Sequence, residues 1–328
     1  MKRVLVTGAS GFIGRQCIAP LRARGFDVHA IAHHAATGPG AGPEERSGAR
    51  QGNQQVRHAG PAGAASEDRR GMDNVTWHRC DLLTEDVTPI VHAVAPTHLL
   101  HLAWYAVPGK YWTSRENLRW VRASLVLYDA FVASGGTRVV MAGSCAEYDW
   151  SGGVCRERDT PLAPRTYYGQ CKRALGELIL ADATHAGVSA AWARFFFLFG
   201  PHEYRERLIA SVIRALLNGE TAKCSPGLQR RDFLHVTDAA AAAIALLDSD
   251  VQGAINIGAG AAISVRELVE KAAQIIGTGA VAFGALPADP DPLVVADATR
   301  LHDEVGYTAA SDLDERLRST IAWWRDQG

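Results

Sequence analysis

The stretch that most constrains this chain is Val4-Leu5-Val6-Thr7-Gly8-Ala9-Ser10-Gly11-Phe12-Ile13-Gly14, close to the N-terminus. A short apolar, β-branched run stops at Thr7 and three glycines follow, with two residues between each and the next. Ile13, Cys17, Ile18 and Leu21 then recur with helical periodicity. Strand, tight turn and helix N-terminus in that order make a seat for a pyrophosphate, on exposed backbone N–H groups at the positive end of the helix dipole. Each glycine meets a need that a side chain would obstruct: the turn, the approach of backbone to phosphate, and close packing of helix on strand. The plainer alternative is a βα turn in which glycine only supplies positive φ.

A chain of 328 residues suggests about two domains, or one large α/β unit with an added lobe, and an apolar fraction of 47% is ample for a core. The net charge of −1 gives no global field for nucleic acid or a membrane surface, so neither partner is expected. Cysteines 17, 80, 145, 155, 171 and 224 form no C-x-x-C pair and no cluster at zinc spacing, so no metal is expected. They read as reduced thiols of a cytoplasmic protein. Strand one begins straight after Met1-Lys2-Arg3, which fits no signal peptide, and the longest apolar run, Ala239 to Leu247, is too short to span a bilayer.

Val28–Ala32 reads as strand two. A carboxylate at its end would bind the adenosine ribose hydroxyls and repel a 2′-phosphate, but the strand runs out as Ile31-Ala32-His33-His34. Arg15, just past the glycines, could face such a phosphate, or be a solvated helix residue. The balance favours NADP(H) over NAD(H). Residues 36–72 are rich in Gly, Ala, Gln, Arg and Pro with hardly a large apolar side chain, and read as a mobile insertion. Order resumes at Val75–His78, followed by Cys80-Asp81-Leu82. Thr97–Leu102 is the next buried strand, opening into Ala103-Trp104-Tyr105-Ala106. A helix is expected over 116–134, with Trp120, Leu127 and Phe131 facing the core, and Arg138–Ala142 is strand five. This alternation means an α/β fold with a parallel, doubly wound sheet.

After strand five come Ser144 and, further on, Tyr168 and Lys172, four apart at the start of a helical stretch and so on one face. An ammonium one turn from a phenol favours the phenolate and lowers a pKa that is ordinarily about 10. Ser144, at a strand end, can bond the same carbonyl or alkoxide oxygen. Together the three could handle a proton while a nicotinamide handles the hydride. Tyr167 is the competing phenol, at the wrong spacing from Lys172.

Six stretches now carry a resemblance: TGASGFIG at 7–14, GSCAEY at 143–148, YGQCK at 168–172, RFFFLFGP at 194–201, RRDFLHVTD at 230–238 and INIGAG at 255–260. In this order they resemble the extended short-chain dehydrogenase/reductases, in particular the NAD(P)-dependent epimerase/dehydratase group acting on nucleotide sugars. The resemblance implies a Rossmann-type domain over 1–195 and a smaller substrate-binding lobe over 196–328, with segments around 229–258 returning to the first domain. It implies catalysis by Ser144, Tyr168 and Lys172. The dinucleotide would lie on Gly8, Gly11, Phe12, Ile13, Gly14 and Arg15, on Asp81 and Leu82 at the adenine, on Leu102 and Ala103, and on Tyr168 and Lys172. Substrate contacts would come from Trp104, Ser144, Cys145, Phe197, Arg207 and Arg231. A homodimer through the helix bearing Tyr168 and the 116–134 helix is also implied.

In the lobe, helices are expected at 208–218, 239–247 (with Thr237 and Asp238 as capping candidates), 265–276 and 313–324. Arg231 would contact the nucleotide, unless it merely pairs with Asp232 or Asp238. The chain departs from the family in three places. Phe197 replaces a usual Asn, and Pro287 replaces an Arg of many members; Arg207, Arg230 and Arg231 are the candidate replacements. Cys145 and Ala146 stand where the 4,6-dehydratases have an Asp-Glu pair. Alanine moves no proton and a buried thiol is mostly inert, so dehydration is not expected. The reading is an NADP(H)-dependent reductase of a keto-sugar, a nucleotide-linked 4-keto-6-deoxyhexose. The alternatives are a 4-epimerase holding its cofactor tightly and a non-catalytic dinucleotide sensor. The intact Ser144/Tyr168/Lys172 set argues against the sensor.

Overall fold

The computed structural model describes residues 2–33, 75–309 and 312–327. The expected insertion at 36–72 and His34 lie outside the described residues. Strands β1 (Arg3–Thr7), β2 (Asp27–Ala32), β3 (Thr76–Arg79), β4 (His98–His101) and β5 (Arg138–Ser144) come first. The short β6 (Val154–Cys155), β7 (Ser189–Phe195), β8 (Phe197–Phe199), β9 (Thr221–Cys224), β10 (Arg230–Arg231), β11 (Phe233–His235) and β12 (Gly253–Ile257) follow. Seven of them form one sheet in the order β12-β7-β5-β4-β1-β2-β3, with every neighbour parallel. The chain thus winds outward from β1 to β3, then from β4 the other way. The crevice at that reversal, between the ends of β1 and β4, is where such sheets take ligands.

The inner strands are buried on both sides and correspondingly apolar, while the edge strand β3 is partly exposed. On one face lie α1 (Gly14–Ala23) and, from much later in the chain, α6 (Val236–Leu247), whose alanines let it pack closely. On the other lie α2 (Thr88–Val94), α3 (Glu116–Ala133) and α4 (Tyr167–Ala186), through Val91, Leu127, Phe131, Leu175 and Ile179. Trp120, expected in this core, is half-buried. A third cluster joins α5 (Leu208–Leu217), α7 (Val265–Ile276) and α9 (Leu313–Asp326) in the smaller lobe; the short α8 (Thr299–Asp303) lies between the last two in sequence.

Two local expectations are corrected. The helix expected from Ala239 begins at Val236 and is capped by neither Thr237 nor Asp238: the His235 ring accepts from the Thr237 N–H, and Asp238 is committed to Arg316 at 2.6 Å. β4 spans His98–His101, one residue shorter at each end than expected, although the Leu102 N–H still donates to the Thr7 carbonyl at 3.1 Å. Among the described residues no helix is long and apolar enough to cross a membrane.

Candidate active site

Gly8 sits at φ 72°, and a Cβ there would come within 2.8 Å of the Ala103 nitrogen. The turn therefore lies directly against the end of β4. A Cβ at Gly14 would drive into the Gly8 carbonyl and reach 2.8 Å from the Ala9 Cα, so this glycine lets α1 start against the turn. At Gly11 an added Cβ would meet only Gly8, which leaves the outer side of the turn open. These residues fit the pyrophosphate of a dinucleotide: a glycine cradle at the N-terminus of a ten-residue helix. Phe12 and Ile13 complete the turn. Thr7 Oγ1 stands 2.6 Å from His101 Nδ1, and His101 Nε2 stands 2.8 Å from Ser124, a buried bracket under the crevice. Burial, and then Lys172, push His101 down to about 3, so it is neutral.

Just past β3, Asp81 lies 3.0 Å from His33. Burial alone would raise its carboxyl, but hydrogen bonds from Leu83 and Thr84 and the nearby His33 hold it below the ordinary carboxylate range. Leu82 follows in the same turn. Arg15 donates to the Ser10 carbonyl at 2.8 Å and meets His202 Nδ1 at 2.7 Å. Its guanidinium thus bridges the glycine turn and the loop after β8.

Ser144 ends β5 and Tyr168 is the second residue of α4, whose N-terminus Thr166 caps. The Tyr168 phenol hydrogen-bonds the Ser144 hydroxyl, and its backbone N–H donates to the Trp112 carbonyl at 3.0 Å. Rings of Tyr111, Trp112 and Trp104 surround it edge-on, at 4.9, 5.8 and 6.4 Å between centroids. Lys172, 3% exposed, donates to the Ala142 carbonyl at 2.7 Å and lies 3.6 Å from the Trp104 ring centre. The expected lowering of the phenol pKa by this ammonium is not found. Burial pushes Tyr168 above its ordinary value, with the Ser144 bond opposing, while burial pushes Lys172 down to about 7 against the pull of Glu147. Spacing on a helix puts two groups on one face; it does not register that both are dry.

Cys145 is 5% exposed, and burial holds its thiol well above the ordinary range. Ala146 is buried beside it. Glu147 is fully buried, accepting from Ser144 N at 2.7 Å and Trp192 Nε1 at 2.9 Å, and pairing with Arg194 at 2.8 Å. It holds the strand end in place. Phe197 lies between Trp150 and Phe233, with the Arg231 guanidinium 5.5 Å from its ring centre. Arg231 pairs with neither Asp232 nor Asp238 but with Asp289 at 2.7 Å, while backbone N–H groups of Ala259, Gly260 and Ala296 hold the Asp232 carboxylate. Arg207 stands 5.9 Å from the Tyr111 ring centre.

Ser144, Tyr168, Lys172, Trp104 and Arg207 therefore share one aromatic cage. Cys145, Phe197 and Arg231 line the adjoining lobe, and Asp81 and Leu82 lie at the opposite end of the crevice. The sequence reading missed Asn117, which is fully buried. Its side chain accepts from Trp104 Nε1 at 2.8 Å and donates to the Tyr111 and Ser114 carbonyls, fixing the cage wall. An amide in the first turn of an otherwise amphipathic helix was the available signal.

The sequence model of the NAD dependent epimerase/dehydratase family matches residues 4–258. The chain belongs to this family. Its enzymes are NAD-dependent and of the extended short-chain dehydrogenase/reductase type. A dTDP-glucose 4,6-dehydratase of Streptomyces griseus is 28% identical over 98% of this chain and 93% of its own length. A UDP-glucose 4-epimerase of Corynebacterium glutamicum is 26% identical over 93% of this chain and 90% of its own. Among solved structures, MoeE5 in complex with UDP-glucose and NAD is 29% identical, with a TM-score of 0.79 and 99% of both chains covered.

Proposed function

We propose that this member of the family is an NADP(H)-dependent reductase of a nucleotide-linked 4-keto-6-deoxyhexose. The observation that carries the reading is the set Ser144, Tyr168 and Lys172 in a dry aromatic cage, with no free carboxylate or thiolate at positions 145–147 beside it. Cys145 is a buried neutral thiol, Ala146 has no proton to move, and Glu147 is bound to Arg194 and Trp192, so the elimination step of a dehydratase lacks a base. A phenol kept protonated suits an acid better than a base, and reduction needs the acid. When bound, the dinucleotide supplies the hydride. Ser144 orients the sugar carbonyl, Tyr168 gives its proton to the oxygen that becomes the new hydroxyl, and Lys172 holds the ribose of the cofactor and stabilises the phenolate left behind. Trp104, Tyr111 and Trp112 offer apolar surface suited to a methyl at C6. Arg207 and Arg231 are assigned to the diphosphate, with Cys145 and Phe197 along the sugar path.

In this assignment residues 1–195 bind the dinucleotide and 196–328 mainly the substrate, with segments around 229–258 returned to the first. The absence of a carboxylate at the end of β2 as far as His33 supports NADPH. Arg15 is not needed for that preference, since its guanidinium is engaged by Ser10 and His202. A 4-epimerase is the second reading, favoured by the epimerase relative; it would use the same residues in both directions. Exposed apolar side chains on α3 and α4, described below, support a homodimer, and six buried unpaired thiols suit the reducing cytoplasm.

The test is oxidation of NADPH, with NADH in parallel, against nucleotide-linked 4-keto-6-deoxy sugars. Net consumption supports the reductase. Recovery of an isomer without consumption makes it an epimerase. Y168F should bind the cofactor as wild type does and lose at least ~100-fold in turnover; a fully active Y168F would remove the phenol from the mechanism.

A further inference from the structure

Among the described residues the ammonium of Lys172 has one hydrogen-bonded partner, the Ala142 carbonyl at 2.7 Å, and another near neighbour is an aromatic face. The Trp104 ring centre lies 3.6 Å away, well inside the range at which a cation is attracted by a ring quadrupole, and indole is the strongest such partner. The Trp192 ring is farther, at 5.9 Å. Trp104 is not a loosely packed side chain that happens to lean this way. Asn117 accepts from its Nε1 at 2.8 Å, Trp120 packs 6.2 Å from it, and Tyr168 meets it edge-on. Asn117 in turn is fully buried and holds the backbone of the 111–114 segment, so the indole is anchored to the same frame that positions the phenol.

We propose that Trp104 is a positioning residue for Lys172: its indole, fixed at the N–H end by Asn117, holds the ammonium against the Ala142 carbonyl at the mouth of the crevice and keeps it cationic there. This deepens the reading above and rests on its assignment of Lys172. An ammonium at 3% exposure is under pressure to shed its proton, and burial brings its pKa down to about 7, in the working range of an enzyme. A π face costs no compensating charge and leaves the remaining N–H groups free for a ribose hydroxyl. The other titratable or charged groups around Lys172 are Glu147 behind β5, Arg194 of β7 bound to it, His101 of β4 and Tyr168 on the same helix. Of these four, Tyr168 packs edge-on against the Trp104 ring, so its own titration is followed in the same variants.

The measurement is a pH titration of Lys172 in the full, cofactor-free chain labelled with 13C-lysine. The chain has five lysines, at 2, 110, 172, 223 and 271, so the K172R difference assigns the signal. In W104L the charged form loses its π partner, so the midpoint should fall by about one unit. W104F, which keeps a ring, should fall by less; W104M serves if W104L does not fold. In the active enzyme the alkaline limb of kcat/KM should move to lower pH by the same amount, because the lysine must be charged and is lost as pH rises. A W104L midpoint equal to that of wild type overturns the proposal. If wild type turns over no keto-sugar, the reaction assignment fails, while the lysine titration still decides the role of Trp104.

Discussion

Glu203 lies in the loop between β8 and α5, 6% exposed, with its Oε2 lacking a hydrogen-bond partner among the described residues. Burial pushes its carboxyl up to about 8, against Arg207 and the Gly200 N–H, which favour the charge. Its unfolded value is near 4.5. The folded chain therefore holds this proton longer than the unfolded one, and the stability it contributes is full below about pH 4.5 and lost as pH rises through about 8. Glu203 accordingly pulls the melting temperature down from pH 5 towards 8, joined by Asp232, whose burial raises it to about 6 against three backbone hydrogen bonds, while His101, His235 and Lys172, whose burial lowers them, pull the other way. Its share is read against Glu203→Gln, neutral at every pH, which should gain on wild type steadily from pH 5 and melt above it at pH 8. Parallel melting curves for the two proteins across that range would mean that Glu203 is hydrated and ordinary.

At the level of elements, the glycine turn is where three pieces of backbone meet: β1, α1 and the end of β4. An alanine at Gly14 has no room, because its Cβ would enter the Gly8 carbonyl. Gly14→Ala should cost about 1–3 kcal/mol in chemical denaturation, as overpacking does, and weaken NAD(P)H binding by fluorescence titration. Gly152→Ala, whose Cβ would meet nothing within 4 Å, is the control. Unchanged cofactor affinity in Gly14→Ala would detach the turn from binding. This turn was fully legible in the chain, as were the existence and order of the main parallel strands and the Tyr168/Lys172 helix, because each is written in neighbouring residues, whereas strand bounds shifted by a residue or two. The contacts that finish the site were not. Trp104 on Lys172, Asn117 on Trp104 and Arg231 on Asp289 join residues that only sheet register and loop path bring together. The cap of α6 failed for a smaller reason: a histidine ring took a place ordinarily given to a hydroxyl or carboxylate.

For the molecule as a whole, the outer surface of the α3–α4 layer carries Leu118, Val126 and Leu178 at 50, 42 and 54% exposure. Leu118 and Val126 are two helical turns apart on α3, and Leu178 is on the adjoining α4, so a second copy packed there would bury all three in a four-helix contact. Sedimentation should give twice the chain mass for wild type and the single mass for Leu178→Asp. A monomeric wild type would refute the contact. The catalytic helix would then have its cage on one side and its partner on the other.

The order of the sheet has a further consequence, for the chain as it is being made. Its edge strand β12 and the helix α6 that covers β1, β5 and β7 come from residues 236–257, long after those strands have emerged. Until then the apolar face that includes Val4, Val6, Val140 and Ala191 has only α1 to cover it. At roughly 5–20 residues per second of synthesis, that interval lasts on the order of ten seconds. The nascent protein therefore passes through a half-roofed state in which an apolar sheet face is presented to the cell, the class of surface that chaperones hold.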